Sequence, residues 1–390
     1  MFVSCFLVTG YSWRVSIRYR KFGNLDWDVS VLGFGAAGLP LDDEAECVGL
    51  IRYAIDRGLN YVNLGLPPDP THHARTLRLV GRALRDGYRD RVKIAVSLPS
   101  RLINSLADYD RYLDRLTDSL EVKSVDFLLL GGLTRETWPR LHQIGVLRWA
   151  EDAWEDGRIW RLGFSFHDDY QTLRGILNAY GDWAIAEFRY SFMDVEHLPG
   201  LTGLQLAAGK GLGVIASQPL LSGRLERHLP DPISALWQSV GKQRTPAEWG
   251  QRWVWNHSEI STVVVDMSSM EQVKDYVALA DTAEAGSMSI PEEILISRVR
   301  DAYRKLRPVP CTACRSCLPC PQGIDIPRVF ELWNEAVMYG DPDIPRTIYR
   351  IEQHFIEDCN ECGICVQRCG MMIDVPDRLN EALEYLAGNS

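Results

Sequence analysis

Short apolar segments alternate with amphipathic helical patterns along most of this sequence. Eight such strand–helix units precede about residue 280, beginning with VSVLGFG and ending with STVVVDM. Apolar strands that alternate with helices are typical of a parallel sheet covered on both faces. Eight units within roughly 250 residues favour a closed barrel over an open sheet. We therefore predict an α/β protein built on a (β/α)8 barrel.

Two groups of four cysteines lie near the end of the sequence, in CTACRSCLPC and CNECGICVQRC. Three thiolates spaced C-x2-C-x2-C can hold three corners of an iron–sulfur cube, and the fourth cysteine commonly binds a second cube. Structural zinc is the alternative, but zinc sites are usually built from separated pairs of cysteines. We predict two [4Fe–4S] clusters, one on Cys311, Cys314, Cys317 and Cys369 and the other on Cys359, Cys362, Cys365 and Cys320.

Helical patterns and prolines divide the sequence into four parts. Residues 1–17 are interpreted as an N-terminal extension, and residues 18–280 contain the eight strand–helix units. Residues 281–310 form a predicted linking helix that ends near Pro308 and Pro310. Residues 311–390 combine the cysteines with apolar residues at helical spacing, which predicts a small helical iron–sulfur domain.

Composition excludes some classes of function. The formal net charge of −10 gives no electrostatic support for binding nucleic acid. The first ten residues, MFVSCFLVTG, are too short to span a bilayer and lack the features of a signal peptide. Because thiolate-bound clusters require a reducing compartment, we expect a cytoplasmic protein that does not act on a membrane.

Several phrases resemble one family of barrel enzymes, the aldo/keto reductases. They are YRKFGNLDWDVSVLGFG, RGLNYVNLG, GRIWRLGFSFHDD, GLGVIASQPLLSGRL and TPAEWGQRWVWNHSEISTVVVDMSSMEQV. The resemblance spans about residues 18–280 and, together with the tail, is similar to the subgroup that carries a C-terminal two-cluster ferredoxin domain. The tail departs from the ferredoxin pattern at Gly370, where proline is usual, and in the two-residue spacer Leu318–Pro319. Neither change removes a thiolate.

The resemblance implies a catalytic aspartate, tyrosine, lysine and histidine at the top of the barrel, and this sequence does not retain them. Alignment places Asn63 at the aspartate, Ser97 at the lysine and Gly131 at the histidine. In the family the tyrosine donates a proton after the lysine lowers its pKa. We therefore do not expect ordinary NADPH-dependent reduction of aldehydes or ketones.

Histidines are the remaining candidates for proton transfer. Counting back from Gly81 places His73 at the tyrosine position, with His72 beside it, whereas counting forward from Asn63 reaches Pro68. We expect both histidines in an extended loop at the carboxyl face of the barrel, where barrel enzymes work. They are either proton donors near neutral pH or solvated loop residues.

Two strand ends carry further candidates. His167 ends the fifth strand, and the neighbouring Asp168 either fixes its tautomer or, with Asp169, caps the following helix. Glu187 and Arg189 alternate along the sixth strand and should point to the same side. They form either a buried ion pair or a substrate anchor, and we expect the ion pair.

The resemblance also implies positions that bind a nicotinamide cofactor, and these are altered. Glu187 replaces the glutamine that binds the carboxamide, and Gln272 stands where an arginine often grips the adenosine 2′-phosphate. Ser268, Ser269 and the start of the following helix could still meet a small anion. NAD(P) is therefore a candidate cofactor without support from a motif.

Two functions follow from these features. In the first, the protein is an oxidoreductase whose clusters carry electrons to or from a substrate at the barrel mouth. In the alternative, the barrel is a non-catalytic scaffold for a two-cluster electron carrier that docks on a partner enzyme. Both require a redox partner protein, and the first also requires a small-molecule substrate. We favour the first, because an electron carrier has no need of a complete barrel.

Overall fold

The computed structural model describes residues 17–65, 70–196, 199–241, 244–352 and 356–388. The chain forms two compact units. The first, the barrel unit, contains the chain up to Pro219 and Gly250–Met288. The second, the cysteine unit, contains Leu220–Trp249 and the chain from Ser289 onward. No described helix has the length and apolar composition needed to cross a membrane.

The strands of the barrel unit form a hairpin and a closed parallel barrel. The hairpin pairs β1 (Tyr19–Lys21) with β2 (Asp28–Ser30) in antiparallel fashion. The eight described barrel strands are β3 (Leu32–Gly35), β4 (Tyr61–Asn63), β5 (Lys93–Pro99), β6 (Val125–Leu133), β7 (Ile159–Phe166), β8 (Ile185–Arg189), β9 (Gly213–Ser217) and β10 (Thr262–Asp266). Each pairs with its neighbours in this order, and β10 pairs with β3 to close the barrel. The predicted (β/α)8 fold is confirmed.

Helices follow the strands and cover the barrel. They are α1 (Glu44–Asp56), α2 (Pro70–Ala83), α3 (Leu106–Leu120), α4 (Thr137–Gln143), α5 (Val146–Glu155), α6 (Tyr170–Ala179), α7 (Gly200–Gly209), α9 (Pro246–Trp255) and α10 (Met270–Ala280), whereas α8 (Asp231–Gln238) belongs to the cysteine unit. Four of them, α1, α3, α6 and α10, begin at a capping side chain. At the start of α3, for example, the backbone N–H of Ser105 donates to the Asp108 carboxylate at 2.8 Å, which satisfies a donor that the helix leaves free.

The lower part of the barrel interior is apolar. Its inward side chains are Tyr61, Ala95, Phe127, Leu129, Ile185, Ile215 and Val264. The hairpin closes the amino-terminal end, because Phe22 packs edge-to-face on Phe127 with ring centroids 5.3 Å apart. A Cβ at Gly213 would lie 2.5 Å from the Phe22 ring. The barrel is therefore filled at this end, and only its carboxyl end is available for a ligand.

The cysteine unit is helical. Its later helices are α11 (Ile290–Arg304), α12 (Ile326–Met338), α13 (Asp343–Glu352), α14 (Ile364–Arg368) and α15 (Val375–Ala387). Apolar side chains of α12, α13 and α15 form its core, and six of the eight cysteines pack against that core. Because the cysteines pack against this core, the helices fix the positions of the cysteine loops.

Residues 220–249, which the sequence analysis places within the barrel range, pack in the cysteine unit. Helix α8 contacts α11. The guanidinium of Arg224 donates to the Glu335 carboxylate of α12 at 2.9 Å, and both side chains are nearly buried. Arg244 likewise donates to Glu292 of α11 at 2.7 Å. Buried ion pairs therefore join two stretches of chain that are distant in sequence.

Candidate functional site

The upper part of the barrel interior is polar. Side chains alternate across a strand, so the residue two positions beyond each apolar core residue also points inward. At the carboxyl ends of six strands these residues are Asn63, Ser97, Ser165, Glu187, Ser217 and Asp266, named here the polar ring. Glycines, Gly35 and Gly131, occupy two further positions of this layer. The ring lies at the face where barrel enzymes place their active sites.

Glu187 is held by two members of the ring. Its Oε2 accepts a hydrogen bond of 2.7 Å from Nδ2 of Asn63. Oδ1 of Asn63 accepts from the backbone N–H of Gly65 at 2.8 Å, which fixes the orientation of the amide. Burial raises the pKa of Glu187, although hydrogen bonds from Asn63 and Ser217 oppose the rise. The Glu187 carboxyl group therefore keeps its proton to a higher pH than an ordinary glutamate does.

Asp266 ends β10, which is separated from the strand of Glu187 by β9 alone. Burial raises its pKa, while the backbone N–H groups of Ala37 and Gly38 act in the other direction. A Cβ at Gly35 would lie 2.5 Å from Oδ1 of Asp266, so only glycine leaves room for this carboxylate. The side chain remains exposed to solvent. It is therefore accessible to a ligand at the carboxyl end of the barrel.

The described residues provide no ion-pair partner for Glu187 or Asp266. The predicted pair between Glu187 and Arg189 is wrong, because Glu187 bonds to Asn63 and Ser217 instead. Arg189 lies beside Asp194, with Nη2 and Oδ1 3.5 Å apart. The ring therefore presents two carboxyl groups to a ligand without a cation between them.

Two of the three candidate histidines lie in a helix. His72 and His73 occupy the first turn of α2, so the prediction that they lie in an extended loop is wrong. Nε2 of His73 is enclosed and has no hydrogen-bond partner among the described residues. Burial, together with the charge of His72, lowers the pKa of His73. Pro68 and the rest of residues 66–69 lie outside the described residues.

His167 follows β7 at the same end of the barrel. Its backbone N–H donates to the Leu133 carbonyl at 3.2 Å. Asp168 does not fix its tautomer, because its carboxylate bonds to Arg135 at 2.7 Å and accepts backbone N–H groups. Asp169 caps α6, as the alternative interpretation predicted, by accepting from the N–H of Thr172.

The candidate phosphate-binding residues are bonded to one another. Oγ of Ser269 accepts from the backbone N–H of Gln272 at the start of α10. Oε1 of Gln272 accepts from both N–H and Oγ of Ser268, at 3.0 Å and 3.1 Å. The donors that would meet a small anion are therefore already used by the helix itself.

The two cysteine loops share one backbone conformation. The residues before the second cysteine of each loop, Ala313 and Glu361, have φ of 54° and 53°. The residues after it, Arg315 and Gly363, have φ of 60° and 73°. Left-handed residues in such loops turn successive backbone N–H groups toward one side, which forms the concave cradle found at iron–sulfur sites. Both loops are therefore shaped for the same kind of anionic group.

The repetition continues beyond the loops. The N–H of Gly323 donates to the Cys320 carbonyl at 2.9 Å, and the N–H of Met372 donates to the Cys369 carbonyl at 3.0 Å. An Ile-Asp pair then precedes α12 after the first cysteine loop and α15 after the second. The phrases CPQGIDIP and CGMMIDVP carry this repeat, and sequence reasoning missed it.

The thiols of the two cysteine loops lie near one another, and Cys365 of the second loop also acts on Cys317 of the first. Burial raises the pKa of Cys311, and the neighbouring thiols of Cys314 and Cys369 raise it further. Burial also raises the pKa of Cys365, with contributions from Cys359 and Cys362. All eight thiols are free. Among the described residues no three ligating side chains approach closely enough for a single metal ion, whereas in a cube each thiolate binds a different iron.

Comparison with protein families adds two matches. The aldo/keto reductase family matches residues 31–290, which is well over half of the chain. The chain belongs to the aldo/keto reductase family. A 4Fe-4S dicluster domain matches residues 310–374. The predicted combination of this barrel with an iron–sulfur domain is confirmed, and it is the composition of an iron–sulfur oxidoreductase.

Solved aldo-keto reductases share the barrel. The holo form of aldo-keto reductase AKR11C1 from Bacillus halodurans is 22% identical, with a TM-score of 0.61 over 73% of this chain and 96% of that chain. An aldo-keto reductase from Klebsiella pneumoniae in complex with NADPH is 20% identical, with a TM-score of 0.59 over 73% and 95%. At this identity the likeness shows the fold alone. The comparison with curated proteins gives no match.

The polar ring was found only in part from sequence. The alignment drew attention to Asn63, Ser97 and Glu187, but not to Ser217 or Asp266. The signal for the last two was the polar residue at the end of an otherwise apolar strand. A polar residue at a strand end identifies a member of the ring only when the register of all strands is known.

Proposed function

We propose that this aldo/keto reductase is an iron–sulfur oxidoreductase. Its two [4Fe–4S] clusters carry electrons to or from a small molecule bound at the polar ring, and the family's hydride-transfer tetrad takes no part. The single observation that carries the proposal is the hydrogen bond from Asn63 to Glu187. In this bond the residue aligned with the aspartate of the tetrad contacts Glu187 and not a lysine, in a chain whose second unit contains two cluster-shaped loops.

Loss of the tetrad removes proton donation to a substrate carbonyl by the family's route. Asn63 has no charge to hold a lysine, and Ser97 cannot lower the pKa of a phenol. Glu187 is the group suited to hold and release a proton in the ring, because burial raises its pKa and two hydrogen bonds fix its position. His73 is neutral near pH 7, since burial lowers its pKa, and it can serve only as a hydrogen-bonding group or a base.

The residues present do not fit a nicotinamide dinucleotide. Such a cofactor carries anionic phosphates, and none of the residues of the polar ring is a cation that could bind them. Gln272 replaces the arginine of the 2′-phosphate site and is bonded back to Ser268. Electrons therefore need another source, and the thiolates of the cysteine unit provide the ligands for one.

The cysteine loops fit iron–sulfur clusters. We propose that the first cluster is held by Cys311, Cys314, Cys317 and Cys369 and the second by Cys359, Cys362, Cys365 and Cys320. The clusters supply one-electron reduction and oxidation. A redox protein is needed as the source or acceptor of these electrons. Such clusters are stable in a reducing compartment, which favours the cytoplasm.

Anaerobic purification and NADPH exposure test the proposal. We expect about eight iron and eight sulfide per chain. Dithionite should bleach the visible absorption of the clusters, and NADPH should not. Zinc in place of iron, or reduction of the clusters by NADPH at a rate typical of turnover, would contradict the proposal. Screening of small molecules for reoxidation of the reduced protein, with Glu187→Gln as the matched variant, separates a catalytic barrel from a scaffold.

A further inference from the structure

Arg307 is a cation beside the first cysteine group without an ion-pair partner among the described residues. It lies four residues before Cys311, and its charge and that of the Cys311 thiol act on each other. Its Nε contacts the sulfur of Met338 at 3.4 Å, and the side chain is half-buried. A half-buried charge is screened less by water than an exposed one.

The other arginines near this group are neutralised. Arg315 pairs with Asp325 at 3.3 Å, and Arg328 pairs with Glu331 at 2.7 Å and with Glu352 at 2.9 Å. Glu331, which also raises the pKa of Cys311, shares the Arg328 cation with Glu352. Arg307 is therefore the cation near Cys311 that pairs with no carboxylate among the described residues.

If ligation is crossed, Arg368 is a second cation beside the first ligand set. Arg368 precedes Cys369 directly, forms no ion pair among the described residues, and lies at the end of α14. The proposed crossed ligation assigns Cys369 to the first set, so the charge of Arg368 is counted with that set. The first ligand set is thus flanked by two unpaired cations.

The second ligand set is flanked by anions. Glu357 and Asp358 precede Cys359, and Glu361 lies between Cys359 and Cys362. All three carboxylates are exposed, and none forms an ion pair among the described residues. The residues on either side of Cys320 carry no charge. The unbalanced charge at this set is therefore negative.

We propose that these charges separate the reduction potentials of the two clusters, with the first cluster easier to reduce than the second. Adding an electron makes a cluster more negative, so nearby cations favour reduction and nearby carboxylates oppose it. This inference rests on the proposed function, because it requires that both clusters are present. The residues that set the difference are Arg307, Arg368, Glu357, Asp358 and Glu361.

An anaerobic redox titration followed by electron paramagnetic resonance tests the proposal. The wild-type protein should be reduced in two separate steps. Arg307→Gln should lower the potential of the first step only, reducing the ratio of reduced to oxidised cluster about threefold to tenfold at a fixed applied potential. Glu361→Gln should raise the second step only. Arg378→Gln, which removes a charge from a surface pair on α15, should move neither.

Iron and sulfide are counted for every variant, so that loss of a cluster is not mistaken for a change of potential. Arg307→Lys, which keeps the charge, should restore the wild-type first step. If Arg307→Gln loses iron, the Arg368→Gln and Glu361→Gln variants decide the outcome. Two fully loaded clusters that titrate together, or a shift of the second step by Arg307→Gln, would overturn the inference and leave the proposed function standing. Absence of iron would instead remove the proposed function.

Discussion

Removing one partner of the buried pair Arg224–Glu335 should destabilise the cysteine unit strongly. At 2.9 Å, the attraction between the charges is about 6 kcal/mol with an effective dielectric constant of about 20. Much of this is offset by the cost of taking both groups from water, and removal of one partner typically costs about 3–5 kcal/mol. Arg224 keeps a hydrogen bond to the Leu221 carbonyl and a position over the Tyr339 ring. We therefore expect about 3 kcal/mol for Glu335→Gln.

The assay is thermal unfolding of the loaded protein without oxygen, followed by circular dichroism and by loss of the cluster absorption. A cost of about 3 kcal/mol corresponds to a decrease in Tm of about 10 °C for a unit of this size. Replacing both partners, with Arg224→Met and Glu335→Leu, should recover most of the loss because no charge is left buried alone. Arg378→Gln is the control, since its pair with Glu381 is exposed and contributes little. A decrease below about 2 °C for Glu335→Gln would refute the packing of residues 220–249 against α12.

Three further predictions concern the ring and the clusters. Purified protein should not reduce simple aldehydes with NADPH if, as we infer from the alignment, the proton donor is missing, since a positioned acid typically contributes about 10²–10⁴ in rate; turnover at a rate usual for the family would show the alignment to be wrong. Burial raises the folded pKa of Glu187, so the folded state loses stability as pH rises from the unfolded to the folded pKa. Glu187→Gln should therefore raise the free energy of unfolding near about pH 8 and leave it unchanged near about pH 4, and equal effects at both would contradict the assigned burial. Cys320→Ala should damage the cluster bound mainly by the second group; damage limited to the first, seen by electron paramagnetic resonance, would show that ligation does not cross.

Periodicity and spacing were sufficient for the architecture. Eight apolar segments followed by amphipathic helices predict the closed barrel, because burial on both faces imposes that pattern on each strand separately. The spacing of the cysteines predicts the iron–sulfur domain for a similar reason. Three of the four cysteines of each ligand set lie within about ten residues of sequence, so their spacing alone indicates the kind of site.

Contacts between distant residues were not accessible in this way. The partner of Glu187 proved to be Asn63, 124 residues away, and not the nearby Arg189, because strand register and not sequence distance decides which side chains meet. The loop expected around His73 is helical from Pro70 onward. That prediction rested on counting residues against a family pattern, which shows how long a segment is but not how it is folded.

The division of the cysteine unit into two stretches of chain has a consequence for synthesis on the ribosome. Arg224 emerges 111 residues before Glu335, which at about 5–20 residues per second is a delay of roughly 5–20 s. During that time the buried side chains of α8, Ile233 and Trp237, have no mature partner. The nascent chain therefore exposes an apolar segment in the middle of its length until α11 has been synthesised. A gene shortened to end before α11 would leave that segment permanently uncovered, so this protein cannot be divided into a barrel and a detachable tail.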